Sequence, residues 1–285
     1  AMDQLDYKKV KIEKCLDLLT SPFSQVRIKA RQRLAENLNW NYRKGKLKNP
    51  DIVTPKLISM IKKGSEEEII TGLLTLGLAP SVVFEPNADL VASILKNHKE
   101  VLKVRVAAAV CLSQTKAKEV AFQYYNDILK LVLDERKESD TFEHVDKDLS
   151  KAIAEFLKSQ DIKIKPSIDK NIQYKVATKF LEHPRQNVRN VGIKMLKGIP
   201  LEDFHLIGNQ LMDALLLKDP NYHTYSSVLN VDGVNLMARL NISEGLELLH
   251  DGIFKGGGKW GFKYRTLIQS LPSYGANAKP YIERF

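Results

Sequence analysis

The chain has 285 residues, of which 44% are apolar and 27% charged, a balance that excludes a disordered polypeptide and allows a substantial core. Its net charge is +10, and no run of about 18 apolar residues occurs, so nothing in it reads as a membrane-spanning helix or as membrane insertion of any kind. Cys15 and Cys111 are isolated, too few for a disulfide framework and without metal or redox spacing, so both read as buried thiols.

In chain order, the N-terminal stretch is charged where a signal peptide needs an apolar run. Ala1-Met2 looks like a cloning remnant, which leaves open that the chain is a piece of a longer exported protein and leaves its compartment open with it. Amphipathic patterning then predicts helices over 8–20, 24–34, 50–63, 87–97, 102–112, 119–135, 171–182, 186–196, 202–217 and 243–254. Pro22, Pro50, Pro80, Pro166, Pro184, Pro200 and Pro220 fall between them, with Asn, Asp or Ser nearby to cap the helix that follows.

Several of these helices carry a small residue four positions before a large apolar one: Ala30/Leu34, Gly72/Leu76, Ala108/Leu112, Ala152/Phe156, Gly192/Leu196 and Gly233/Met237. The small residues recur at intervals of 36 to 44 positions, which is the spacing of a helical-hairpin repeat. In such a hairpin the small residue lets two axes approach, and the large residue one turn away fills the groove beside it. Three of the helices share a fuller pattern: Val26-Arg27 before Ala30 and Leu34, Val104-Arg105 before Ala108 and Leu112, and Val188-Arg189 before Gly192 and Leu196. An Arg in that place is expected to bury its stem at the core edge and send its head to a nearby acid or carbonyl, a structural role ahead of a functional one.

The Val-Arg pattern resembles the second helix of HEAT and phycobilisome-lyase-type repeats. That resemblance implies an all-α chain: a right-handed α-α superhelix, or solenoid, of about seven HEAT-like hairpins forming a single domain over residues 1–285. The stretch around Tyr274-Gly275-Ala276 and Ala278-Lys279-Pro280 is similar to the linker and first helix of bacterial HEAT-type repeats. Together with residues 256–265 it resembles the C-terminal helical-repeat region of a bacterial, extracytoplasmic family of unknown function, which implies no catalytic residues.

Two segments concentrate aromatic and basic side chains. Trp40 and Tyr42 precede Arg43, Lys44, Lys46 and Lys48 in what reads as a link between helices, and Lys259, Trp260, Lys263 and Arg265 lie with Phe262 and Tyr264 in a glycine-rich link. Aromatics interleaved with cations suit stacking against, and neutralising, an anionic ligand, whereas a buried tryptophan anchoring a solvated loop is the plainer reading of each. Gly256-Gly257-Gly258-Lys259 is not a phosphate loop, because Ile253 stands where the first Gly belongs and Trp260 replaces the hydroxyl residue that binds magnesium.

No histidine pair or Cys/carboxylate set stands at metal spacing, and no activated nucleophile is patterned, so neither a cofactor, a metal nor catalysis is expected. The expected function is a non-enzymatic binding or scaffolding module that engages a protein or polysaccharide partner. The alternative is a nucleic-acid-binding module similar to small basic HEAT-like DNA-repair glycosylases. The charge permits it, since residues 1–50 carry 12 basic and 5 acidic side chains, and residues 151–200 carry 11 and 4.

Overall fold

The computed structural model describes residues 11–44, 50–134, 142–158, 168–197, 200, 202–203, 211, 236, 246 and 271–279. It is all-helical, with no strand among the described residues. The chain divides into two compact units, residues 1–168 and 169–285.

In the first unit the α-helices are α1 (Ile12–Leu18), α2 (Ser24–Arg43), α3 (Pro50–Lys63), α4 (Glu66–Leu78), α5 (Ser81–Phe84), α6 (Ala88–Lys96), α7 (Leu102–Gln114), α8 (Lys118–Phe122), α9 (Tyr125–Leu133) and α10 (Phe142–Lys158). The second unit holds α11 (Lys170–Leu181) and α12 (Gln186–Met195). Proline and capping chemistry set several of these ends. Pro50 opens α3, Pro80 precedes α5, and Ser65 starts α4 with a capping box in which the Glu68 carboxylate accepts from the Ser65 amide at 2.8 Å. That bond holds the Glu68 carboxyl below its ordinary range. Asp169 caps α11 by accepting from the Ile172 amide at 3.1 Å.

Helices joined by short links pack as hairpins, α1 with α2, α3 with α4, α6 with α7 and α11 with α12. Within the first unit the second member of each hairpin also packs on the next: α2 on α4, α4 on α7, and α7 on α10. Their ends are level. Arg27 near the start of α2 pairs with Glu67 at the start of α4, at 2.6 Å, and Asn39 near the end of α2 donates to the carbonyl of Leu78 at the end of α4. These helices therefore run side by side in the same direction.

Small residues set the spacing. A Cβ at Gly72 would come within 3.0 Å of the Ile61 side chain, and one at Gly192 within 2.9 Å of the Ala177 carbonyl, so both glycines are sites of close contact inside a hairpin. Gly77 is tighter still: a Cβ there would stand 2.7 Å from the carbonyl oxygen of Cys111 and 2.8 Å from its Cα. The α4 and α7 backbones thus touch directly. Around these points Ala30, Leu34, Val104, Ala108, Leu112, Val188, Gly192 and Leu196 are buried, and Val26 is half-buried.

The three motif arginines reach back to backbone carbonyls just before their own helix, Arg27 and Arg189 to the link and Arg105 to the last turn of α6. Arg27 donates to the Ser21 and Pro22 carbonyls, and Arg189 to those of His183 and Pro184, the same five- and six-residue reach in both units. Arg105, buried, donates from Nε to the Leu95 carbonyl at 2.9 Å and from Nη2 to Asp134 at 2.7 Å. Carbonyls at a helix end have no intrahelical donor and carry partial negative charge, which a guanidinium offsets.

One expected helix is divided. The pattern over 119–135 gives α8 and α9, separated at Gln123 and Tyr124, because Phe122 and Tyr125 stack at 5.3 Å and both rings meet Phe156 of α10. The Tyr124 hydroxyl donates to Asp89 of α6 at 2.5 Å, which pushes its own pKa up to about 12. Near the C-terminus, Gly275 has φ +55, a left-handed conformation that side chains avoid, and it joins two 3₁₀ segments over Leu271–Ala278.

Gly77→Ala should destabilise the protein by about 1–3 kcal/mol, since packing strain outweighs the roughly 1 kcal/mol that alanine gains in helix propensity. Urea denaturation checks this, and a variant as stable as wild type would show that α4 and α7 are not in backbone contact. Arg105→Lys should cost about 1.5–3 kcal/mol in the same assay, because an ammonium cannot serve the Leu95 carbonyl and Asp134 in the geometry of the guanidinium fork. Burial pushes both cysteine thiols up, so neither Cys15 nor Cys111 should react with a thiol reagent at neutral pH until the chain unfolds.

Candidate functional site

The segment expected to be a link at Trp40–Lys44 is helical. α2 continues to Arg43, and Lys44 is its C-cap, with its amide donating to the Trp40 carbonyl at 3.2 Å. The helix outlasts the expectation because its last turns are tied to neighbours. Asn39 donates to the carbonyl of Ala35 one turn back, at 2.8 Å, and to that of Leu78, at 3.0 Å. Its Oδ1 accepts from the Lys116 ammonium, which follows α7 in the chain. Asparagine is a weak helix former, and here its amide serves two helix ends at once.

Trp40 is 62% exposed and Tyr42 48% exposed, so the reading of Trp40 as a buried anchor is corrected. The Lys44 ammonium lies 5.0 Å from the centre of the Trp40 ring, a cation–π contact that fixes the indole without covering it. Arg43 is exposed beside them, and partial burial, with the Arg43 charge second to it, holds the Lys116 ammonium below the usual lysine range. Burial comes first among those causes, and the charge that acts on Lys116 is another cation. The end of α2 thus gathers two exposed aromatics and three cations, Arg43, Lys44 and Lys116.

Beyond it the basic edge continues. Lys118 donates to the Ser113 carbonyl at the end of α7, sits 5.8 Å from the Phe156 ring and feels both Glu155 and Lys158 at the end of α10. Lys158 itself bonds Glu155 at 2.6 Å. Sequence reading missed Lys116 and Lys118; the repeat register marks Lys118 alone, which stands ten positions beyond Ala108 as Trp40 stands ten beyond Ala30. Lys259, Trp260, Lys263 and Arg265 lie outside the described residues, as do Lys46 and Lys48.

Other exposed apolar side chains are scattered. Phe23 and Val101 stand at the N-caps of α2 and α7, and Ile52 and Val82 lie at the beginnings of α3 and α5. Single exposed apolar residues are ordinary on a protein surface, whereas Trp40 shares its helix face with Arg43 and Lys44, three and four positions on, and forms a patch with them. Among the described residues no group of three or more His, Cys, Asp or Glu could hold a metal, and no helix is long and apolar enough to cross a membrane. His183 is buried with its Nδ1 accepting from the Arg185 amide at 3.1 Å, a structural use of an imidazole.

Comparison with known proteins places this arrangement in a fold. No protein-family model matches the chain, and no curated protein matches it. Among solved structures it is similar to the X-ray structure of YibA from E. coli, with a TM-score of 0.63 and 15% identity over 98% of this chain and 89% of that one. It is also similar to an engineered protein, with a TM-score of 0.53 and 14% identity over 92% of this chain and 68% of that one. Both likenesses are of fold: the chain is an all-helical protein of the architecture seen in YibA.

Removing the Asn39 amide should loosen this corner. Asn39→Ala is expected to cost about 1–2 kcal/mol, since it leaves the Leu78 carbonyl without that donor, whereas Trp40→Ala should change stability by less than about 0.5 kcal/mol. Denaturation curves distinguish the two, and a large loss from Trp40→Ala would mean that the indole is part of the core.

Proposed function

We propose that the chain is a non-enzymatic binding or scaffolding module, a right-handed α-α superhelix of HEAT-like hairpins whose surface engages a protein or polysaccharide partner. The parallel, level packing of α2, α4 and α7 supports the repeat reading, since stacked hairpins place equivalent helices side by side. The observation that carries the functional reading is the end of α2. An indole 62% exposed, held by a lysine and flanked by Arg43 and Lys116, contributes little to the core and offers a contact surface.

The test is chromatographic retention of wild type and Trp40→Ala on heparin, duplex DNA and a neutral polysaccharide, each at two salt concentrations. Wild type is expected to bind heparin at low salt, to release steeply as salt rises, and to bind more tightly than Trp40→Ala. Tighter retention on duplex DNA than on heparin at both concentrations would replace this reading with nucleic-acid binding. Identical elution of the two proteins from every matrix would remove the α2 corner as the functional surface.

A further inference from the structure

We propose that the end of α2 is a protein-docking site whose occupant is an acidic polypeptide face, with Trp40 and Arg43 at its centre and Lys44, Lys116 and Lys118 around it. This inference rests on the reading of the chain as a binding module and names the partner's chemistry.

Residue type comes first. Trp and Arg are among the side chains most enriched where protein interfaces concentrate their binding energy, and here Trp40 and Arg43 lie one turn apart on one helix face, both exposed. Lysine, by contrast, is depleted at interface centres and common at polar rims, which is where Lys116 and Lys118 fall in the order of helices. The sign of the charge comes second. Arg43 raises the positive potential at Lys116, and the acid that Lys118 feels, Glu155, is already bonded to Lys158. Two like charges held together in this way are relieved by a carboxylate from outside.

The disposition of the ammonium groups separates a protein from a nucleic acid. A phosphate backbone is held by cations free to follow it, and its bases stack on open aromatic faces. At this edge Lys44 lies over the Trp40 ring, Lys116 donates to Asn39, Lys118 donates to the Ser113 carbonyl and Lys158 is bonded to Glu155. The cations are already oriented, and one face of the indole is occupied. That is preorganisation for a shaped partner, in which ordering the side chains adds little to the cost of association. The Asn39 tie to Leu78 and Lys116 fixes three helix ends as one platform.

The probes are a random glutamate–tyrosine copolymer, polyglutamate, and a single-stranded oligothymidylate of matched charge, each fluorescently labelled and titrated with the intact chain by anisotropy at low and moderate salt. The copolymer should bind more tightly than polyglutamate, and both should weaken as salt rises. Arg43→Glu and Trp40→Ala should each weaken copolymer binding by about tenfold, a loss of about 1.4 kcal/mol, while Lys103→Glu, at the opposite end of α7, stays within about twofold of wild type. Circular dichroism of each variant confirms its fold. A Trp260→Phe protein, in which the emission comes from Trp40 alone, should show quenching or a blue shift on adding copolymer. The proposal is overturned if oligothymidylate binds more tightly than the copolymer, or if Arg43→Glu and Trp40→Ala both leave copolymer binding within about twofold of wild type. In either case heparin or polysaccharide retention that survives would leave the module reading standing and move its surface elsewhere.

Discussion

The first unit depends on one close approach. Gly77 of α4 lies against the backbone of Cys111 in α7 with no room for a methyl group, so the two helices meet main chain to main chain. Contact at that distance fixes both spacing and register, since sliding one helix past the other would bring a side chain into the gap. It also determines which termini coincide. Gly77 is one residue from the end of α4 and Cys111 three from the end of α7, so these two helices finish together. Asn39 then ties α2 to the same level through Leu78 and Lys116. The cations that follow the helices in sequence are gathered at one edge as a consequence.

The Val-Arg motif is used on the other end of the same helices. A guanidinium in the first turn of α2, α7 or α12 reaches back to carbonyls just before its own helix, in the link for Arg27 and Arg189 and in the last turn of α6 for Arg105. Arg27, Arg105 and Arg189 all donate there, although their exposure and acidic partners differ. Arg27 adds Glu67 of the next hairpin, and Arg105 adds Asp134. The motif therefore closes a hairpin in every case, and Arg27 and Arg105 also fasten a neighbour. Its positive charge is consumed by the fold, which is why the most regular cations in the sequence are not the ones available to a ligand.

Much of this fold was legible. α3 runs from Pro50 to Lys63 as its periodicity and its proline predict, and α2, α7 and α12 begin at the residues where the repeat pattern begins. The small residues Ala30, Gly72, Ala108, Ala152 and Gly192 are buried because their identity encodes how near two axes come. Less legible was anything decided by a contact distant in sequence. Gly77 carries no periodic mark of its own, and only the position of Cys111 shows why a glycine is required. The end of α2 reads as a link because it lies beyond the repeat pattern and Asn, Trp and Tyr are weak helix formers; Leu78 and Lys116 outweigh that preference from 39 and 77 positions away. The division of α8 from α9 has the same origin, in rings that stack across three helices.

An exposed indole at such a corner has a physical cost that bears on its purpose. Leaving a large aromatic face in water forgoes stabilisation that burial would give, on the order of 1.5–3 kcal/mol for a side chain of this size. The corner does not recover that by using Trp40 to hold itself together, since the hydrogen bonds that join the helix ends run through Asn39, Leu78 and Lys116. Stability and surface are thus assigned to different residues along one turn of helix. Asn39 looks inward to carbonyls, while Trp40 and Arg43, one and four positions on, face solvent. A surface built this way can lose its aromatic without losing the fold. The exposed indole is free to point outward because its neighbour Asn39 does the holding.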